Sequence, residues 1–373
     1  MSRRASLRLA TRGSDLAMRQ ANEVTAALED RRFDVDIEPV ETEGDRVTDA
    51  LIQDLGKTGA FVRALDERVL EGEVDAAVHS LKDVPTDSPE ELVVAAVPRR
   101  TTPGDAFVTP EGTMLRDMPE GATVGTASLR RRAQVLNQRP DLTVEPIRGN
   151  VDTRLEKLLA TSLQAEHERR TEAEEEQRSA EHRDRKAAGD ENINSRNHPT
   201  FDQDIEEWFS SLSELERSAM ERKVETEYDA VVLAQAGLER TGLARDVHYE
   251  RLEETDHVPA PGQGALAVTM REDSDLLEKV RQALDHPRSR IETTAERIIL
   301  EGIGGGCIAP LGIYAVLQGD VVHTSVQVFD RDGEHSVSAT RDLHVDTYAD
   351  EAREFADALA EQGATELIEE AKR

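Results

Sequence analysis

Short apolar runs alternate with helical periodicities almost from the first residue, and that alternation decides the fold class. Ser6–Thr11 reads as a strand, after which Ser14 can cap a helix whose apolar positions Ala17, Ala21, Val24 and Leu28 follow a 3.6-residue period. Val35–Thr42 returns as a strand and Phe61–Leu70 as a helix. Val74–His79 is nearly continuous in apolar character, the pattern of a strand covered on both faces of a parallel sheet. The order repeats with a strand at Val124, a helix over Ser128–Leu136, a strand over Thr143–Ile147 and a helix over Val151–Leu159. Further strands are expected over Ala230–Ala234 and Gly264–Thr269, then a helix over Asp275–Leu284. The last portion differs, with helices over Glu292–Leu300 and Tyr348–Leu359 enclosing three strands between Leu311 and His344. An α/β protein with two doubly wound lobes and a small C-terminal α+β domain fits this order.

Residues 163–227 interrupt the pattern. No large aliphatic or aromatic residue occurs from Gln164 to Asn192, and residues 163–227 carry 19 acidic and ten basic side chains. The first half therefore reads as a solvated segment open to disorder. The second half recovers an amphipathic stripe, Phe201, Ile205, Trp208, Leu212, Leu215 and Ala219, expected to dock on its own lobe. The whole stretch reads as an insertion between a helix and a strand of the second lobe. The expected division is 1–100 with 257–284 for the first lobe, 101–256 for the second and 285–373 for the C-terminal domain.

Charge excludes some partners. The formal net charge is −31, which argues against nucleic acid or an anionic membrane surface. Only seven of the 46 basic residues are lysines. An acid-coated, lysine-poor surface suits a cytosol at molar salt, where the Debye length falls to about 3 Å and self-repulsion is tolerable. No stretch approaches 18 apolar residues, so no membrane span is expected. Met1-Ser2-Arg3-Arg4-Ala5 leads straight into the first strand without the apolar core of a signal peptide, so a cytoplasmic location is expected.

The candidate chemistry gathers at strand ends, where α/β folds place their sites. After Val74–Val78 come His79-Ser80-Leu81-Lys82-Asp83-Val84-Pro85. A carboxylate there could hold a cation, orient an N–H donor or exchange a proton, though an ordinary Lys–Asp surface pair reads as well. Gly125-Thr126-Ala127-Ser128-Leu129-Arg130-Arg131-Arg132 leaves a strand and enters a helix. Arginines in a first helical turn oppose the helix dipole, so they need an anion to repay them. The device recurs at Arg148-Gly149-Asn150-Val151-Asp152-Thr153-Arg154 and at Thr11-Arg12-Gly13-Ser14. Three such sites in a chain of this charge imply a ligand with several negative charges, bound in a cleft between the lobes. Cys307, the only cysteine, follows Gly304-Gly305-Gly306 and precedes Ile308-Ala309-Pro310. It can form no internal disulfide, and the glycines leave room for something bulky to reach the sulfur. A small buried hydrophobe is the plain alternative.

These segments, taken with Thr42-Glu43-Gly44-Asp45, Leu233-Ala234-Gln235-Ala236-Gly237-Leu238 and Pro261-Gly262-Gln263-Gly264, resemble the hydroxymethylbilane synthase (porphobilinogen deaminase) family, in family order and over nearly everything outside the insertion. The resemblance implies lobes like those of periplasmic binding proteins. It implies a transferase that joins four porphobilinogen molecules head to tail with loss of ammonia, and releases hydroxymethylbilane by hydrolysis for tetrapyrrole and haem biosynthesis. It implies a dipyrromethane cofactor held by thioether to Cys307, and no metal. Asp83 matches the family's catalytic aspartate, where a fixed carboxylate can stabilise the cation left by ammonia and hold pyrrole N–H groups. Lys82, Thr126, Ser128, Arg130 and Arg131 are implied in cofactor binding, and Arg12, Ser14, Arg148 and Arg154 in substrate binding. A monomer is expected.

The planar, permanently charged arginines suit such carboxylates. One departure stands out: Gly56-Lys57-Thr58-Gly59 replaces a Gly-Gly-Lys-Gly run, displacing the lysine by one residue. Two other classes share parts of this pattern. A bilobed solute-binding protein would not need the lone cysteine, and a cysteine hydrolase would need a histidine that the Cys307 loop lacks.

Overall fold

The computed structural model describes residues 4–40, 60–186, 201–306 and 309–372. Thr42–Asp45, Lys57 and Cys307 lie outside the described residues. Three sheets organise the described residues. The first has the order β2-β1-β3-β10-β4, from β1 (Ala5–Arg12), β2 (Phe33–Val40), β3 (Ala76–Ser80), β4 (Leu92–Ala96) and β10 (Leu266–Arg271). The second has the order β7-β6-β8-β5-β9, from β5 (Asp105–Thr109), β6 (Thr123–Gly125), β7 (Thr143–Glu145), β8 (Ala230–Ala234) and β9 (His248–Arg251).

The two sheets share one plan. Strand β1 runs parallel to β2 and β3, while β10 is antiparallel to both β3 and β4. Likewise β6 is parallel to β7 and β8, and β5 is antiparallel to β8 and β9. The doubly wound expectation therefore holds with one reversed strand per sheet. Each reversed strand is the one the chain enters on crossing between sheets: β5 follows the outgoing crossover 97–104, and β10 follows the return crossover 252–265. Leu266, Val268 and Met270 of β10 and Val280 and Leu284 of the helix Leu277–Leu284 share a core with Leu7, Leu9 and Val78.

The C-terminal portion is an antiparallel meander, β11 (Leu311–Gln318), β12 (Val321–Phe329) and β13 (Ser336–His344). It packs against the helices Pro287–Gly302, Tyr348–Glu361 and Ala364–Lys372. The turn between β12 and β13 seats on the helix Leu129–Gln138. There Asn137 donates to the Gly333 carbonyl at 3.0 Å, and a Cβ on Gly333 (φ +74°) would collide with the Ala133 carbonyl.

The interruption is more ordered than its composition suggests. One helix runs from Val151 to Lys186, and residues 187–200 lie outside the described part. Its first turns bury Leu155, Leu158 and Leu159 against Leu215 and Ala219 of the short helix Glu214–Met220. Gln164 donates to the carbonyls of Met220 and Arg222 at 3.0 and 2.9 Å. The Arg170 guanidinium lies 4.3 Å from the ring centroid of Phe201 and 5.1 Å from that of Trp208. The aromatic stripe thus docks on its own lobe. Beyond that contact the helix carries i,i+4 ion pairs such as Glu174–Arg178 at 2.5 Å, the local support available to a polar helix. Among the described residues, no helix is long and apolar enough to cross a membrane.

Candidate active site

Helix starts and strand ends carry the predicted residues. Ser14 and Ser128 are N-caps, accepting from the Ala17 and Arg131 backbone N–H groups at 3.4 and 3.5 Å. Arg12 ends β1 and is half-buried. Lys82 and Asp83 lie in a single 3-10 turn, Leu81–Asp83, directly after β3, with the Asp83 residue exposed. Behind them, His79 Nε2 lies 3.0 Å from Asp66 and 3.1 Å from Thr269, a buried cluster that anchors β3. Thr126 is buried, and its hydroxyl accepts from the Ser128 N–H at 3.2 Å.

Arg130 and Arg131 turn inward onto a residue that the sequence reading missed. Arg130 Nη1 lies 2.7 Å from Asp105 Oδ2, and Arg131 Nη2 and Nε lie 2.9 and 3.0 Å from Asp105 Oδ1. Asp105 has no exposed surface, and the arginines are 3% and 6% exposed. The two guanidinium groups hold the Asp105 carboxyl far below the ordinary carboxylate range against the opposing effect of burial. The signal for it was indirect: two arginines in a first helical turn need a counter-charge, and Asp105 is the one charged residue opening an otherwise apolar strand.

Lys82 and Arg154 lie in the field of the same pair. Burial pulls the Lys82 ammonium below its ordinary pKa; Asp83 and Asp105 oppose that shift, and Arg131 and Arg130 add to it. Burial, then Arg131, lowers Arg154 to about 10. Arg154 donates to the Gly149 carbonyl at 2.8 Å, and Gly149 at φ +113° supplies a conformation that side chains resist. Arg148 is half-buried at the same strand-to-helix turn, its carbonyl accepting from Lys157 at 3.2 Å. The structure thus gathers Lys82 from beside the first sheet with Arg130, Arg131 and Arg154 from beside the second. Against these four cations stand the carboxylates of Asp83 and Asp105.

Two further residues, both on the return crossover, lie here. Gln263 Nε2 donates to Asp105 Oδ1 at 2.9 Å and to the carbonyls of Pro103 and Gly104 at 2.5 and 3.1 Å. His257 is 2% exposed, and neither ring nitrogen has a hydrogen-bond partner among the described residues. Burial holds it at about 4, so it stays neutral where an ordinary histidine would charge. The unfolded chain takes up this proton near pH 6.5 and the folded chain only near pH 4. This group leaves stability unchanged above pH 6.5 and lowers it as pH drops towards 4. The loss over that window is expected to be about 3 kcal/mol. Guanidinium unfolding at pH 7 and pH 4.5 should show this drop in the parent, and a His257→Leu variant should lose that share of it.

The glycines ahead of Cys307 divide by role. A Cβ on Gly306 meets nothing within 4 Å among the described residues. A Cβ on Gly305 would come within 2.6 Å of Leu311 Cδ2 and 2.7 Å of Leu300 Cδ1, so that space is already filled. Gly305→Val is therefore expected to cost about 1–3 kcal/mol through overpacking. The unfolding midpoint checks this; an unchanged midpoint would mean that the loop yields freely.

With this geometry in hand, the relatives agree with one another. The family described as "Porphobilinogen deaminase, dipyromethane cofactor binding domain" matches residues 7–167 and 217–279, skipping much of the charged stretch. A probable porphobilinogen deaminase of Halobacterium salinarum is 58% identical over 388 aligned positions, covering 98% of each chain. A probable porphobilinogen deaminase of Methanococcoides burtonii is 36% identical, covering 97% of this chain and 96% of its own. The porphobilinogen deaminase of Oceanobacillus iheyensis is 32% identical with the same coverage. The chain belongs to the porphobilinogen deaminase family.

Proposed function

We propose that this protein is a hydroxymethylbilane synthase, condensing four porphobilinogen molecules head to tail with loss of four ammonia and releasing the linear tetrapyrrole by hydrolysis. The observation that carries this reading is the buried Arg130–Arg131 pair on Asp105, at 2.7 and 2.9 Å, with Lys82 and Arg154 in its field. Porphobilinogen bears an acetate and a propionate, so a dipyrromethane bears four carboxylates, and a cation-rich cleft fits such a group. When bound, the dipyrromethane would supply the nucleophilic pyrrole carbon on which condensation begins. Cys307 would hold it by thioether.

Lys82, Thr126, Ser128, Arg130 and Arg131 would take its carboxylates, while Arg12, Ser14, Arg148 and Arg154 would take those of incoming substrate. Short bidentate guanidinium contacts retain their value in molar salt, where long-range attraction is screened. Asp83 would accept the pyrrole N–H of porphobilinogen and stabilise the positive charge that develops as ammonia departs. Being exposed at the end of its turn, it can also take up the proton displaced from the attacked carbon.

The same reading divides the chain into 1–100 with 257–284, 101–256 and 285–373. It makes the protein a cytoplasmic monomer with no nucleic-acid partner. Incubation with porphobilinogen in molar KCl tests the reaction. One ammonia released per substrate consumed, with a linear tetrapyrrole as product, is the expected outcome. Binding without ammonia release would leave a solute-binding protein.

A further inference from the structure

Asp105 and Gln263 sit where the chain crosses between sheets, and neither is a group that the reaction needs for contact with substrate. Asp105 opens β5 after the outgoing crossover, and Gln263 lies near the end of the return crossover. The single Asp105 carboxylate serves two arginines, one through each oxygen. Gln263 Nε2 fixes Oδ1 of that carboxylate, while its Oε1 accepts from Arg131 Nη2 at 3.2 Å and lies 3.5 Å from Arg130 Nη2. Rotating any of the four side chains breaks a bond of at least one other.

The backbone around Gln263 is equally constrained. Gly262 (φ +74°) and Gly264 (φ +84°) flank it in the left-handed region. A Cβ on Gly262 would come within 3.1 Å of the Lys82 backbone nitrogen. One on Gly264 would come within 2.8 and 2.9 Å of the Thr101 and Thr102 carbonyls. The return crossover thus threads between the Lys82 turn and the outgoing crossover. Gln263 is the side chain it projects between Asp105 and the arginines.

We infer that Asp105 and Gln263 are positioning residues that hold the Arg130–Arg131 pair in one fixed orientation relative to Lys82, across the junction of the two sheets. The charge count supports a site rather than a brace. A buried ion pair is replaceable by apolar side chains with little loss of stability. Two arginines on one carboxylate instead retain net positive charge, of use only towards an anion. The inference rests on the proposal that these arginines take the carboxylates of primer and growing chain.

The test uses the full chain in molar KCl, with three variants. Gln263→Met keeps volume and leaves the ion pairs intact, and Asp105→Glu keeps charge but moves the carboxylate by one methylene. Arg131→Gln removes a ligand-binding group and serves as the reference. Primer occupancy by intact mass, KM and kcat for porphobilinogen, and the unfolding midpoint are measured for each. A positioning role predicts folded Gln263→Met and Asp105→Glu proteins with KM raised about tenfold or more, since ångström misplacement of a binding group is costly. Both should fall short of Arg131→Gln in effect. Parental KM and occupancy in both variants, beside a damaged Arg131→Gln, would overturn the inference. So would failure of both to fold, which would make the two residues structural. An unaffected Arg131→Gln would instead remove the carboxylate reading beneath it.

Discussion

Asp83→Asn is expected to lower kcat by about two to four orders of magnitude, the range for removing a positioned acid–base group, with folding unchanged. The side chain is exposed, and its turn is held by the Val84 N–H donating to the Leu81 carbonyl at 3.1 Å rather than by the carboxylate. Asparagine keeps the shape and one acceptor oxygen but loses the charge that would oppose a developing cation. KM should change far less than kcat, because the cations that bind carboxylates remain in place. Steady-state kinetics with the unfolding midpoint as control checks both halves. A kcat within threefold of the parent would remove Asp83 from the chemistry.

The second large effect concerns stability. Glu296→Ala is expected to destabilise the fold by about 3–5 kcal/mol, the cost of leaving a buried charge without its partner. Glu296, on the helix Pro287–Gly302, has no exposed surface. It pairs with Arg100 at 2.6 Å and accepts from the Gly262 and Ala315 N–H groups at 2.6 and 2.9 Å. Arg100 belongs to the outgoing crossover, Gly262 to the return crossover and Ala315 to β11. One carboxylate therefore ties the C-terminal meander to both passages between the sheets. Its loss strands a guanidinium and two amides together. Guanidinium unfolding should show the drop, and a change under 1 kcal/mol would mean that this carboxylate is not what ties the meander to the crossovers.

What the sequence revealed, and what it hid, follows from the range of each interaction. Ser14 and Ser128 were legible because an N-cap is a local event. The apolar strands β3 and β8 were legible because burial on both faces leaves continuous runs. Strand β5, Asp105–Thr109, was not anticipated, since it is short and preceded by Thr101-Thr102-Pro103-Gly104, which reads as loop. Its reversed direction depends on where the chain crosses, which no local pattern encodes. The helix through Lys186 was missed for a different reason. Absence of apolar residues marks a solvated segment open to disorder, yet Glu166–Arg170 and Glu174–Arg178 pairs suit a helix that needs no buried face.

At the site, strand-end arginines signalled an anionic ligand, but their partner could not be read. Asp105 lies 25 positions from Arg130 and Gln263 lies 132 from Arg131. Neither separation leaves a periodic trace. The acid-rich, lysine-poor surface was legible as composition and agrees with the Halobacterium salinarum relative.

The proposed reaction needs a dipyrromethane primer carried covalently by Cys307. Intact-protein mass under denaturing conditions tests it most directly, with Cys307→Ser alongside. The expected result is an added mass equal to two porphobilinogens less two ammonia in the parent, absent from the variant. A bare chain mass that persists after incubation with porphobilinogen or preformed hydroxymethylbilane would contradict the account.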